Sequence, residues 1–250
     1  MLKIDLHIHS IASGHAFNTV YEIAEAARDK GLKMIGITDH GPAVLGAPVK
    51  PYFYVTKRVP KKLFGVEVLM GCEANILDIN GLLDLPKEYL SMQAILFAGL
   101  HKHTSYTGET KEDNTQAIIG AIRSPFVHAI SHPCDPHYFP VNVKAIVKAA
   151  SEHDVALEIN CVRLKRFRRF KEYIEQTSFM IEYAQDLGVK LLISTDAHVA
   201  SEIGDDSIID ELNLRKVIKE ECILNTSIRK VKYFLETKKK AMPKFEYYGD

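Results

Sequence analysis

The run "DLHIHS" sets Asp5, His7 and His9 at every second position of an otherwise apolar N-terminal stretch. Strand side chains alternate between faces, so these three are expected to point the same way. A core strand has no use for a carboxylate and two imidazoles on one face unless they are paired or hold an ion. Comparable residues recur behind later apolar runs, in Thr38-Asp39-His40, Gly71-Cys72-Glu73, Gly99-Leu100-His101, Ser131-His132-Pro133 and Thr195-Asp196-Ala197-His198. A single histidine behind a strand is ordinarily a capping or core residue. Repetition at strand end after strand end, with ligand types at period two in His7/His9 and Asp196/His198, points to metal binding instead. Imidazole and carboxylate without thiolate suit Zn2+, Mn2+ or Fe2+ better than Ca2+ or Mg2+. With His15 just beyond the first strand, the set exceeds what one tetrahedral site takes, and two or three ions are expected.

The elements that must position these residues are short apolar runs alternating with helical patterns. Strands are expected at Lys3–Ile8, Met34–Thr38, Val66–Gly71, Ala94–Gly99, Val127–Ser131, Ala156–Ile159 and Leu191–Thr195. A first helix carries Thr19 and Glu22 as a capping box, a stripe of Val20, Ile23, Ala24 and Ala27, and Gly31 as its stop. Others are expected from Asn142 and over Asn114–Arg123, Lys171–Leu187, Ser207–Lys219 and Ile228–Lys239. This alternation is that of a parallel α/β fold, and in a parallel barrel the C-terminal strand ends share one mouth. Prolines 42, 48, 51 and 60 break the rhythm, so 41–65 reads as a long loop after the second strand, placed to act as a lid. The chain reads as one domain over 1–250, closing in a helix and tail at 226–250.

Lys plus Arg equals Asp plus Glu at 32 each, so no global field favours nucleic acid or an anionic membrane. Neither a leader nor an apolar run of membrane-spanning length is recognisable, which gives a cytoplasmic expectation. Cys72, Cys134, Cys161 and Cys222 are too scattered for a disulfide framework or thiolate finger and read as reduced thiols. The sequon at Asn225 carries no meaning in such a chain.

Taken in order, "DLHIHS", "GITDHG", "GCEAN", "ISHP" and "STDAH", with "ASGHAFNT" and "DNTQAI" between them, resemble the PHP (polymerase and histidinol phosphatase) superfamily, and its YcdX-type stand-alone phosphatases in particular. The resemblance implies an α/β fold, a distorted (β/α)7 TIM-like barrel, with a trinuclear centre of divalent transition-metal ions, Zn2+ first and Mn2+ or Fe2+ as alternatives. It assigns one ion to His7, His9, Glu73 and Asp196, a second to Glu73, His101 and His132, and a third to His15, His40 and His198. Glu73, Asp196, His101 and His132 would be the catalytic core, with Glu73 bridging two ions. Two ions about 3.5–4 Å apart can share and acidify a water, which would then attack a phosphate ester without a protein nucleophile. Asp5, Asp39 and Asn75 are expected to orient the ligands, Asp5 because it is in phase with His7.

For the substrate, a small phosphorylated molecule, Lys102 and the cations of "CVRLKRFRRFK" are candidates: Arg163, Arg166 and Arg168 could grip phosphate, or the run could be the solvated start of a helix. His103 reads as a bystander, and His128, His137 and His153 as structural or surface residues. A phosphomonoesterase is the first reading. A nuclease or phosphodiesterase is the second, disfavoured by neutral charge. An amidohydrolase-type C–N hydrolase ranks lower, because Glu73 stands where a modified lysine would, and a metal-storing barrel without turnover is the non-catalytic alternative. The tail "KKKAMPKFEYYGD" could dock on a neighbour, and a homo-oligomer is compatible with this.

Overall fold

The structure, a computed structural model, describes residues 1–243; most of the tail considered for docking, 244–250, lies outside them. In chain order the elements are β1 (Ile4–Ile8), α1 (Val20–Asp29), β2 (Met34–Ile37), α2 (Lys50–Val55), β3 (Lys62–Leu63), β4 (Val66–Met70), β5 (Cys72–Asn75), α3 (Lys87–Met92), β6 (Leu96–Gly99), α4 (Lys111–Ile122), β7 (Ala129–Ile130), α5 (Val143–Glu152), β8 (Ala156–Asn160), α6 (Cys161–Phe167), α7 (Lys171–Asp186), β9 (Leu191–Ser194), α8 (Ser207–Glu211) and α9 (Ile228–Ala241). Each expected strand is present. The third differs in form, running through Gly71 from β4 into β5 and so passing from one sheet to another. A Cβ at Gly71 would stand 2.2 Å from the Ile95 carbonyl oxygen, so only glycine lets this junction approach the start of β6 so closely.

One sheet has the order β1-β2-β4-β3 and the other β5-β6-β7-β8-β9, parallel except for the β3–β4 hairpin. Around Gly71 they are continuous, with Glu73 N–H donating to the Asp39 carbonyl at 3.0 Å and Ala94 N–H to that of Met70 at 3.0 Å. Between β1 and β9 there is no full ladder. At the mouth end Asp196 N–H donates to His7 O and His9 N–H to Ala197 O, at 2.8 and 2.9 Å. Deeper down, the Asn225 amide donates to the carbonyls of Ile4 and Ile193 and accepts from Ile193 N–H. The sequon asparagine is thus a buried suture across the seam. The result is a distorted seven-stranded parallel barrel of the kind the resemblance implied, its β1–β9 seam held by isolated bonds and side chains rather than by a ladder.

β1 departs from strict alternation. Its register against β2 shifts between Asp5 and Ile8, the behaviour of a bulge. Ile4 and Leu6 join an inner cluster with Met34, Ile95, Phe97 and Leu192, plugged from below by Val231 and Phe234 of α9. Asp5 instead accepts from Thr195 N–H, Thr195 Oγ1 and Gly204 N–H. It fastens the barrel seam at Thr195, next to Asp196, and the bulge removes the phase with His7 on which its expected role was built.

Helix α1 has the expected Thr19/Glu22 capping box and ends before Gly31, whose φ is +75°. Thr110 and Asp113 form a second box at α4, which therefore starts three residues before Asn114. The helix expected over Ser207–Lys219 stops at α8, because Asn213 adopts a left-handed φ of 56° and only a 3-10 turn follows. Residues 41–65 are ordered by α2 and the β3–β4 hairpin, with Phe53 buried and Tyr52 bonded to Asp39, so they are anchored to the barrel rather than poised above it. Among the described residues no helix is long and apolar enough to cross a membrane.

His128, expected to be structural, lies before β7 and takes the Leu96 N–H on Nδ1 at 3.0 Å. Burial, aided by Lys238, pushes its imidazole down to about 3. An unfolded histidine titrates near 6.5, so between about pH 6.5 and about 3 the unfolded chain holds the additional proton and stability falls as pH falls, by up to about 1.4 kcal/mol per unit. Above about pH 6.5 this penalty vanishes. His128→Asn keeps an acceptor for Leu96 and should flatten the slope; urea midpoints of metal-free protein at about pH 5 and 7 measure it, and equal slopes in both proteins would refute the assignment.

Candidate metal centre

Glu73 is at the centre of the barrel mouth. From β5 its side chain is fully buried, and its two oxygens face different histidines. Oε1 is 3.1 Å from His101 Nε2 and 3.0 Å from His132 Nε2. Oε2 is 2.9 Å from His40 Nδ1 and 3.4 Å from Nε2 of both His7 and His9. Asp196, beyond β9, brings Oδ1 to 3.0 Å from His9 Nε2 and 3.6 Å from His7 Nε2. Both Asp196 and His132 hold positive φ, 59° and 32°. Side chains are rarely held this way unless the surroundings enforce it, and such strain gathers at functional sites.

His7, His9, Glu73 and Asp196 have ligand atoms within 4.8 Å of one another, as do His40, Glu73 and His101, and His9, His40 and His198. The first group is the set assigned to the first ion. The second shares Glu73 and His101 with the set assigned to the second, and His132 adjoins through its contact with Glu73. In the third, His9 takes the place given to His15. His15 is close by, its Nε2 3.0 Å from His198 Nε2 and its ring stacked on His40 and His198. All nine candidate ligands are therefore brought to one mouth.

Donor chemistry and burial fit a metal. Glu73 Oε2, Asp196 Oδ1, His40 Nδ1 and His101 Nδ1 are buried without an aligned hydrogen bond, although Glu73 Oε2 lies 2.9 Å from His40 Nδ1 and Asp196 Oδ1 3.0 Å from His9 Nε2, a costly state for polar atoms in a dry site and the expected one for atoms awaiting a cation. Burial would raise the Glu73 carboxyl, yet His101, His7 and His40 outweigh it and hold the group well below the carboxylate range. Burial opposes ionisation of Asp196 too, and His7 and His9 reverse that. Adjacent imidazoles are driven apart: burial would depress His7, but Glu158, Glu73 and Asp196 raise it well above its usual value, while burial together with His40 and His198 holds His9 well below.

Glu158 escaped notice in the sequence because "ALEIN" has no histidine. On β8 it takes His7 Nδ1 at 2.6 Å and the Ser194 hydroxyl at 2.6 Å on Oε1, and His132 N–H at 2.7 Å and the Asn160 amide at 3.0 Å on Oε2. The signal was an acid inside an apolar strand, a position charged groups occupy only when paired. Of the residues expected to orient ligands, Asp39 bonds Ser10, Ser13 and Tyr52, and Asn75 bonds Asp84 and Gly41. Neither touches a ligand imidazole directly.

The substrate candidates separate. Lys102 Nζ lies 3.0 Å from the centroid of the Tyr138 ring, and Arg163 reaches Asp135, so both border the loop after β7. Arg166 packs on Phe167, and both it and Arg168 are exposed at the far end of α6, away from the ligands. The run is thus a helix capped by Asn160, not the beginning of α7. His137 meets the Tyr138 ring edge-on, their centroids 4.5 Å apart, and His103 is exposed.

Residues 5–111 match the PHP domain model. A probable phosphatase of Caldanaerobacter subterraneus subsp. tengcongensis is 41% identical over 243 residues, 96% of this chain and 93% of the relative. One from Thermoanaerobacter sp. is 38% identical over 239 residues, 96% of each chain. Among solved structures, histidinol phosphate phosphatase from Lactococcus lactis subsp. lactis, complexed with zinc, L-histidinol and phosphate, superposes with a TM-score of 0.61 at 17% identity, covering 88% of this chain and 94% of that one. With relatives this similar over nearly its whole length, and a histidine-rich barrel mouth of the kind its motifs led us to expect, the chain belongs to the PHP-domain family.

Proposed function

We propose that the protein is a metal-dependent phosphatase acting on a small phosphomonoester at a centre of three divalent transition-metal ions, Zn2+ first and Mn2+ or Fe2+ as alternatives. The observation that carries this reading is the division of Glu73 between two groups of buried histidines, the arrangement a carboxylate needs to bridge two ions. His7, His9, Glu73 and Asp196 would hold one ion, Glu73, His101 and His132 the second, and His15, His40 and His198 the third. When bound, such ions would offset phosphate charge and acidify a water for attack on phosphorus. Glu158 keeps His7 turned toward the centre, and Asn160 supports both Glu158 and Asp196 at 3.0 and 3.1 Å. Lys102 and Arg163 are the side chains best placed at the rim for the anionic end of a substrate. The names of the relatives, and the zinc and phosphate in the Lactococcus complex, agree with this reading.

A phosphodiester substrate is the second reading, favoured by the exposed Arg166, Arg168 and Arg169 at the end of α6, which could follow a nucleic-acid backbone. Elemental analysis of purified protein, paired with hydrolysis of p-nitrophenyl phosphate and its bis-ester, separates the two. Transition metal at about three equivalents with monoester turnover is the expected result. Preference for the bis-ester would favour the second reading. Protein that takes up no metal, or that carries metal and cleaves neither ester, would overturn both.

A further inference from the structure

Asp39 stands behind the histidines rather than among them. Its Oδ1 accepts from Ser10 N–H and the Ser13 hydroxyl, both at 2.7 Å, and its Oδ2 from the Ser10 hydroxyl at 2.8 Å and the Tyr52 phenol at 2.6 Å. An ionised carboxylate only accepts, so the one proton of Ser13 is committed to Asp39. Two lone pairs remain on Ser13 Oγ, facing His40 N–H at 3.2 Å and His9 Nδ1 at 3.0 Å. A hydroxyl oxygen that has already donated can only accept from His9. In a neutral ring Nδ1 then carries the proton and Nε2 is bare, placed to accept from His7 Nε2 at 3.1 Å and lying beside Asp196 and Glu73.

We propose that Ser13, held by Asp39 and Tyr52, is a positioning residue that fixes the Nδ1-protonated tautomer of His9 and so aims its Nε2 lone pair at the metal centre. Tyr52 belongs to α2, so the segment after β2 anchors the relay as well as covering Phe53. His7 is set in the same sense by Glu158 on its Nδ1, and the Asp196 carbonyl lies 2.8 Å from His198 Nδ1. The relay differs from these in reaching the imidazole through a hydroxyl, whose direction depends on what stands behind it. The consequence for metal binding rests on the metal-centre reading, but the tautomer itself belongs to the metal-free protein.

The test is long-range nitrogen–proton correlation on the full-length, metal-free protein with isotope-labelled histidine at about pH 8, above the ordinary imidazole range. His9 is identified by the resonances lost in His9→Gln. Wild-type protein is expected to show His9 protonated on Nδ1 with Nε2 bare, and Ser13→Ala a mixture of tautomers. Zn2+ affinity, measured against a chelator, should fall about 10- to 100-fold in Ser13→Ala and recover in Ser13→Thr, which keeps the hydroxyl. A wild-type His9 protonated on Nε2 would overturn the proposal without recourse to any variant. So would a Ser13→Ala protein that folds with the tautomer and zinc affinity unchanged. Failure of the wild type to bind zinc with the tautomer in place would overturn the metal-centre reading instead, so the two failures are distinct.

Discussion

Glu73→Ala is expected to lower kcat on p-nitrophenyl phosphate by about a thousandfold or more, and to reduce bound metal in the same preparation. Among the described residues, Glu73 is the one carboxylate that meets five imidazoles, through two oxygens facing two groups. Other ligands can be lost from one group while the rest stay in place, but loss of this carboxylate removes the shared anion. It also leaves histidines 7, 9, 40, 101 and 132 around a void with less negative charge to offset a cation. Asp196→Ala should do the same more locally, since the imidazoles its carboxylate meets are those of His7, His9 and His198, with Asn160 on its other oxygen. Turnover and metal content measured together, with circular dichroism to verify the fold, decide the matter. Turnover near that of the wild type in Glu73→Ala would end the bridging assignment.

Glu158→Ala should have the largest effect on stability. Four donors from four strands or their ends converge on this buried carboxylate: His7 Nδ1 from β1, the His132 N–H beyond β7, the Ser194 hydroxyl of β9 and the Asn160 amide of its own strand. Alanine would leave them unpaired in a dry interior, at a cost of about 3–5 kcal/mol, which for a chain of this size lowers Tm by about 10 °C. Glu158→Gln should not restore it, because the amide nitrogen would face a donor on whichever side it lay. Thermal melts of both variants in metal-free form read the effect. A fall of less than about 2 °C in Glu158→Ala would mean that water replaces the carboxylate without loss.

Much of the candidate centre was legible because its candidate ligands sit where strand periodicity and local chemistry reveal them. A histidine or acid directly behind an apolar run needs no partner to be noticed, and His7, His9, His15, His40, Glu73, His101, His132, Asp196 and His198 do lie at one mouth. Local signals also marked the first helix, whose Thr19 and Glu22 close on each other within three residues. Where a residue's role depended on what stood opposite, the same reasoning failed. Glu158 drew no notice until His7, 151 residues away, was brought to 2.6 Å. Asp5 lost its phase with His7 because a bulge set by pairing with β2 broke the alternation, and α8 ended early because Asn213 took a left-handed turn that its composition does not require.

By itself, then, the sequence determined the residue types at each strand end, and with them the parallel barrel, the family and a chemistry of imidazole and carboxylate. Only the tertiary structure decided which of those residues are neighbours: that both oxygens of Glu73 are shared out among five histidines, that His9 rather than His15 lies between the first and third groups, and that Ser13 stands between Asp39 and His9. The physical reason is that ligand identity is a local property of a strand and its turn. Convergence to within about 3 Å, the range of a hydrogen bond or ion pair, is set by strand register, bulges and the path of loops from opposite sides of the barrel.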